Sequence, residues 1–194
     1  MSIEKIKNQI QASIRVKELL LKNTEILSQL DLLANKCVSS LRQGGKIVFC
    51  GNGGSFADAQ HLSAEFTSRF LFDRPGLASL ALGTNSSSMT AIGNDYGYEN
   101  VFSREIEAIV ESRDLIIAIT TSGNSINILK AIEAAKQKNI YIAVFTGDTG
   151  GSLSEDVDTI NIPSNETARI QECHILIGHI ICGIAEQSIF GKNE

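Results

Sequence analysis

The chain has 194 residues, 43% hydrophobic and 20% charged, which suits one soluble globular domain with room for an appendage. Its formal net charge of −5, from 17 Lys+Arg against 22 Asp+Glu, argues against a protein that grips nucleic-acid phosphates. A small phosphorylated ligand stays open, because backbone N–H groups hold one phosphate without net positive charge.

The N-terminus, MSIEKIKNQIQ, has no apolar signal core, so a cytoplasmic chain is expected. Residues 1–43 read as helix: Ile3, Ile6, Ile10 and Ile14, then Leu19, Leu20, Leu27 and Leu30, recur near helical spacing. Asp31 is a candidate cap for a second helix that stops at Gly44-Gly45. From residue 44 the rhythm changes. Short apolar runs at 46–50, 77–82, 115–119, 140–145 and 159–162 are each followed by a polar or Gly-rich loop. Helical patterns follow the first run and recur at 125–138 and 167–188. Short buried strands alternating with helices predict α/β architecture: a five-stranded parallel sheet flanked by helices, flavodoxin-like and three-layered, with an N-terminal helical arm. No linker splits the chain, so 1–194 reads as one domain, with 1–43 the arm and 44–194 the core.

Cys37, Cys50, Cys173 and Cys182 show no C-x-x-C spacing and sit in apolar contexts, as buried reduced thiols do. The longest largely apolar stretch, 175–185, is interrupted by Gly178 and His179 and falls short of the ~20 residues of a membrane span.

In an open α/β sheet ligands sit at the carboxyl ends of strands, so the loops after strands carry the functional signal. The first is Gly51-Asn52-Gly53-Gly54-Ser55, between a strand and a helix, where glycines let backbone amides approach an anion. A dinucleotide fingerprint would need a third Gly where Phe56 stands, and Gly83-Thr84 offers no acidic residue after the second strand. A plain tight turn capped by Ser55 is the competing reading. The second loop is Thr120-Thr121-Ser122-Gly123-Asn124-Ser125; one hydroxyl would explain a helix cap, and four suit a phosphate.

On the helix after the first loop, Phe56, Ala59, Leu62, Phe66 and Phe70 form an apolar stripe. Asp58, His61, Glu65 and Arg69 form a polar stripe beside it. His61 and Glu65, at i and i+4, can reach one ion or one substrate group; a solvated face of ion pairs is the alternative. The last helix carries Gln171, Glu172, His174 and His179 among many isoleucines. Such histidines are either core or interface residues or ligands, and a helix apolar nearly all round points to a subunit interface.

The run GNGGSFADAQHLSAEF, Asn94-Asp95 in AIGNDYGYENVFSR, the loop TTSGNS and the terminal ARIQECH…GH together resemble the phosphoheptose isomerase family of the sugar isomerase (SIS) superfamily. The resemblance covers essentially the whole chain. It implies a single SIS domain and an isomerase that converts sedoheptulose 7-phosphate to D-glycero-D-manno-heptose 7-phosphate. That reaction is the first committed step towards nucleotide-activated heptose for lipopolysaccharide or capsule. It further implies a cytoplasmic homotetramer with one zinc ion per active site, held by His61, Glu65, Gln171 and His179. Asn52, Gly53, Gly54, Ser55, Glu65, Asn94, Asp95, Thr120, Thr121, Ser122, Ser125 and Gln171 would line the substrate site. The phosphate loop begins Thr120-Thr121 where the family often has Ser-Thr, and a hydroxyl survives the change.

Ketose–aldose interconversion needs a base that moves a proton between C1 and C2, for which Glu65 is the candidate and His179 its acid/base partner. Zinc would serve as Lewis acid for the oxygens, and a phosphate held remotely would position the sugar. Spacing raises one objection: Gln171 and His179 lie eight residues apart, ~12 Å along one helix, and spacing alone prefers His174 as partner of Gln171. Ligands from different subunits would resolve it. The alternative function is a non-enzymatic SIS-domain regulator that binds a replication-initiation protein. The relative with that role departs at the positions of Glu65 and His179, and both residues are present here. A different phosphosugar isomerase is a third reading, which fits the metal-site residues on both helices less well.

Overall fold

The computed structural model describes residues 2–191; Met1 and residues 192–194 of the expected domain span lie outside them. Five strands alternate with helices: β1 (Ile47–Gly51), β2 (Ser79–Ala81), β3 (Leu115–Ile119), β4 (Tyr141–Thr146) and β5 (Asp158–Asn161). All four pairings are parallel, in the order β2-β1-β3-β4-β5. The expected α/β sheet is present, and each predicted strand falls within about two residues of its observed place. β1 and β3 are buried along their whole length, as a sheet covered on both faces demands.

Side-chain alternation sorts the core into two layers. Ile47, Phe49, Ile117 and Phe145 face α2 (Thr24–Arg42), α3 (Gly54–Thr67) and α7 (Thr167–Phe190). Val48, Ile116, Ala118 and Val144 face α5 (Val101–Ile109) and α6 (Ile126–Gln137). The three-layer arrangement follows. Neither α4 (Ser86–Tyr96) nor α5 was expected from the sequence, which read a polar loop after β2. α4 buries no residue, so it shows no apolar stripe, and α5 is only nine residues long.

The arm differs in where it breaks. α1 (Ser2–Lys22) ends one residue before Asn23, whose side-chain oxygen accepts from the Glu25 and Ile26 amides at 3.1 Å and caps α2. Asp31, the expected cap, lies mid-helix and binds Asn35 instead. A carboxamide that reaches two free amides at a helix start outcompetes a carboxylate whose neighbouring amides are already spent. The stop at Gly44 is as expected, in a left-handed turn of φ +76°.

α1 buries Val16 and Leu20 and leaves Ile3, Ile6, Ile10 and Ile14 about half or more exposed along one face. α7 spans 24 residues and reaches a mean hydropathy of 1.4, so by length and composition it would suffice to cross a bilayer, contrary to the sequence expectation. The helix runs on through Gly178 and His179, which interrupt composition and not backbone. Its packing against α2, α3 and the sheet gives Ile170, Ile177 and Ile181 a buried partner surface. All four cysteines are buried free thiols, and burial pushes Cys37 and Cys50 up to about 12.

Candidate active site

The strand order reverses direction between β1 and β3, which makes their carboxyl ends the topological switch point. Both loops singled out from the sequence emerge there. They bound a cavity of about 190 Å³, to which Asn52 and Ser55 contribute from the first loop and Thr120, Thr121, Ser122 and Ser125 from the second. Thr167 and Gln171 close it from α7. Thr167 was not singled out from the sequence; its position at the start of the last helix gave no local signal. Gly123 makes the second loop feasible: it sits at φ +67°, and a Cβ there would lie 2.0 Å from the Gly150 carbonyl oxygen.

The hydroxyls are not consumed by capping. Ser55 lies inside the first turn of α3, whose N-cap is Gly53, so the competing reading of a turn capped by Ser55 does not hold. Ser125 occupies the N-cap of α6 but makes no capping bond. Their oxygens therefore remain free to face the cavity, beside two helix N-termini that favour an anion.

Asn52 is less free than its loop suggests. Its carboxamide exchanges two hydrogen bonds with that of buried Asn127, at 2.9 and 2.8 Å, and accepts a third from Tyr98 Oη at 3.0 Å. This pair of hydrogen bonds ties the first loop to the first turn of α6, directly after the second loop. Asn94 and Asp95 sit exposed on α4, bonded to one another at 2.8 Å, and the cavity does not reach them.

Beyond the cavity, α3 and α7 bring three side chains together. His61 Nε2 lies 3.0 Å from Glu65 Oε1 and 3.1 Å from His179 Nε2. Among the described residues, these three offer ligand atoms that all lie within 4.8 Å of one another. Two imidazole nitrogens and one carboxylate oxygen form a donor set for a divalent ion that leaves a coordination position open. Their spacing approaches the ~3.3 Å separation of two ligands on one tetrahedral ion with bonds of ~2.0–2.1 Å. All three come from one chain. Gln171 lies apart, two turns earlier on α7, against Gly54: a Cβ at Gly54 would meet the Gln171 amide nitrogen at 2.5 Å. Burial, and then the neighbouring His61, lower the pKa of His179, against an opposing pull from Glu65.

Two other titratable groups flank the site. Asp58, one turn before His61, has an Oδ2 that is buried without a partner, and burial pushes its carboxyl up to about 6. His174 is fully buried, its Nε2 3.2 Å from the Thr146 carbonyl and its ring against Phe145, and burial pushes it down to about 4. It is a neutral core residue. α3 ends at Thr67, so Arg69 and Phe70 fall off the helical stripes predicted for them; Phe70 instead stacks on His179 at 5.4 Å and 26°. A larger hollow of about 620 Å³, bounded by Phe72, Arg74 and Phe190, lacks the hydroxyl cluster of the strand-end cavity.

Comparison with known proteins agrees with this geometry. The SIS domain family model matches residues 13–147. The chain is 54% identical over 186 residues to a phosphoheptose isomerase of Aneurinibacillus thermoaerophilus, covering 95% of this chain and 94% of that one. Among solved structures, a phosphoheptose isomerase from Francisella tularensis superposes with a TM-score of 0.91 at 35% identity, covering 96% of this chain and 99% of that one. The phosphoheptose isomerase of Neisseria gonorrhoeae gives 0.88 at 38% identity, with coverage of 96% and 100%.

Proposed function

Because the chain belongs to the SIS domain family and, within it, to the phosphoheptose isomerases, we propose that it interconverts D-sedoheptulose 7-phosphate and D-glycero-D-manno-heptose 7-phosphate. The observation that carries this reading is one juxtaposition. A hydroxyl-lined cavity at the switch point lies beside a carboxylate–imidazole cluster on the same pair of helices. The span from Gln171 to His179, ~12 Å along α7, suits a ligand held by a phosphate at one end and handled chemically at the other.

In this reading, Thr120, Thr121, Ser122 and Ser125, with the amides of Gly53, Gly54 and Ser55, hold the phosphate and fix the open-chain sugar. Gln171, Asn94 and Asp95 belong to the substrate site; the last two lie away from the cavity, so a movement of α4 or a neighbouring subunit would have to bring them in. Glu65 takes the proton from C1 of the ketose and returns it at C2, and His179 passes a proton between the two adjacent oxygens. The carboxylate can do so because Oε1 faces His61 and leaves the second oxygen free. His61, Glu65 and His179 fit one zinc ion per site; Gln171, the fourth ligand that the resemblance implies, lies against Gly54 and is not among the three whose ligand atoms converge. When bound, zinc supplies a Lewis acid for the oxygens at the reacting end.

The exposed face of Ile3, Ile6, Ile10 and Ile14 supports a homotetramer built through the 1–43 arm around the 44–194 core. The product would feed nucleotide-activated heptose synthesis in the cytoplasm, for lipopolysaccharide or capsule. Turnover of sedoheptulose 7-phosphate by the purified protein, before and after chelation and with zinc restored, tests the reading. A chain that forms no aldose under any of the three conditions refutes it.

A further inference from the structure

The segment that leaves α3 is held by a buried ion pair that the proposed chemistry does not use. Glu186, on α7, is fully buried and accepts from the Phe70 amide at 2.8 Å, the Leu71 amide at 2.7 Å and Arg74 Nε at 2.9 Å. Arg74, only 2% exposed, donates to the carbonyls of Phe66 at 2.6 Å, Ser68 and Pro75 at 3.1 Å, and Glu65 at 2.8 Å. Each side-chain nitrogen and oxygen of the pair has at least one hydrogen-bond partner. Burial acts to raise the Glu186 carboxyl, but the two amides and Arg74 outweigh it and hold it below the usual range.

An isolated buried ion pair adds little stability over a packed apolar pair, but this one also satisfies two backbone amides and the carbonyls around the end of α3. Its further effect is geometric. It fixes the end of α3 through the backbone of Glu65 itself, and it fixes Phe70 through the amide. Phe70 then lays its ring on His179, nearly parallel, with centroids 5.4 Å apart. His179 and Glu186 are seven residues apart on α7, two turns along the same face, so one helix carries both the imidazole and the anchor of the residue that covers it.

We propose that Phe70, held by the Glu186–Arg74 pair, is a positioning residue that sets the orientation of the His179 imidazole towards His61 and Glu65. Among the described residues, half-buried His179 has no aromatic neighbour other than Phe70 and His61, whose centroid lies 5.0 Å away at a 57° tilt. Without Phe70 its ring is free to turn about the outer torsion, which is broad for histidine. The inference rests on the functional reading only in assigning His179 a catalytic part; the orientation itself is independent of it.

The test compares Phe70→Leu, which keeps an apolar side chain and removes the ring, with Phe70→Tyr, which restores it, in the full-length protein. Imidazole NMR is tractable because the chain has only three histidines, and His179→Gln assigns the signal. The His179 signal that reports orientation is the Overhauser cross-peak between the His179 and His61 ring protons of the metal-free protein, which should weaken in Phe70→Leu and return in Phe70→Tyr; a change in shift alone follows from the lost ring current. In turnover the proposal expects kcat to fall about tenfold in Phe70→Leu with KM within about twofold, and Phe70→Tyr to recover it. An unchanged cross-peak in Phe70→Leu overturns the proposal, as does an equal loss of kcat in both variants. If wild type turns over no sugar phosphate while the cross-peak still weakens and returns, positioning stands and the isomerase reading falls. Glu186→Gln keeps an oxygen for the Phe70 amide and Arg74 but faces the Leu71 amide with a donor, so it should loosen Phe70 and weaken the cross-peak towards that of Phe70→Leu; a wild-type cross-peak there would overturn the part given to the ion pair.

Discussion

Gly178 packs α7 directly against Leu62 of α3, and alanine there should push the site apart. A Cβ at residue 178 would lie 2.5 Å from both methyl carbons of Leu62, which is fully buried. Contact between carbons is comfortable at about 3.5–4.0 Å, so the helices must separate by ~1 Å or Leu62 must leave its rotamer. Overpacking of this kind costs about 1–3 kcal/mol, and alanine returns about 1 kcal/mol of helix propensity. We expect a net loss of up to about 2 kcal/mol, or up to about 8 °C in Tm at fixed protein concentration. Activity should suffer more than stability. Leu62 adjoins His61 and Gly178 adjoins His179, so the same displacement opens the 3.1 Å gap between the two imidazoles. A misplacement of ~1 Å at reacting groups costs about 100-fold in rate. Leu62→Ala combined with Gly178→Ala removes the methyls that clash, and should recover most of the lost kcat while remaining less stable than wild type. Steady-state kinetics and thermal unfolding of the single and double variants form the assay. Gly178→Ala with wild-type kcat and Tm would refute the claim that close packing of α3 on α7 sets the site, as would a double variant no more active than the single.

Three further outcomes follow from the same geometry. His174 is neutral when folded, because its pKa is lowered to about 4 from an ordinary 6.5; its contribution to stability is complete above about pH 6.5 and is lost as pH falls towards 4. The loss is at most about 3 kcal/mol, and His174→Gln, which cannot titrate, should flatten the slope of denaturant stability across that window. Ser125→Ala should raise KM for the phosphosugar about 10- to 100-fold with kcat little changed, since one hydrogen bond to a charged group contributes about 1.5–3 kcal/mol; titration with inorganic phosphate should weaken in parallel. Ile6→Glu combined with Ile10→Glu should lower the mass measured by light scattering below that of the wild-type oligomer, and an unchanged mass would place the interface elsewhere on the chain.

The parts of this protein that were legible in the sequence are those whose physics is local. β3 stands at the residues its apolar run predicts, because a strand buried on both faces needs nothing but apolar residues. The two strand-end loops were legible because glycines and hydroxyls between a strand and a helix have few other uses. His61 and Glu65 were legible as an i, i+4 pair. The convergence of His179 on that pair was not, because no spacing rule links α7 to α3; their meeting depends on Gly178 and Leu62 packing across the helices. α4 was missed because an exposed helix has no stripe to read. The break at Asn23 was misplaced because Asn and Asp are equally good caps, and only the flanking backbone decides between them. Nothing in the sequence pairs Glu186 with Arg74, because 112 residues separate them and only the fold takes both side chains out of water.

The central claim is that Glu65 moves a proton between adjacent carbons of a phosphosugar held at the strand ends. Incubation of sedoheptulose 7-phosphate with the protein in deuterated water, followed by NMR of the sugar, tests it most directly. Wild type should form the aldose with solvent deuterium at C2, whereas Glu65→Gln should form none while still binding the sugar phosphate. Aldose formation by Glu65→Gln at the wild-type rate, or none by wild type with zinc supplied, would contradict the account.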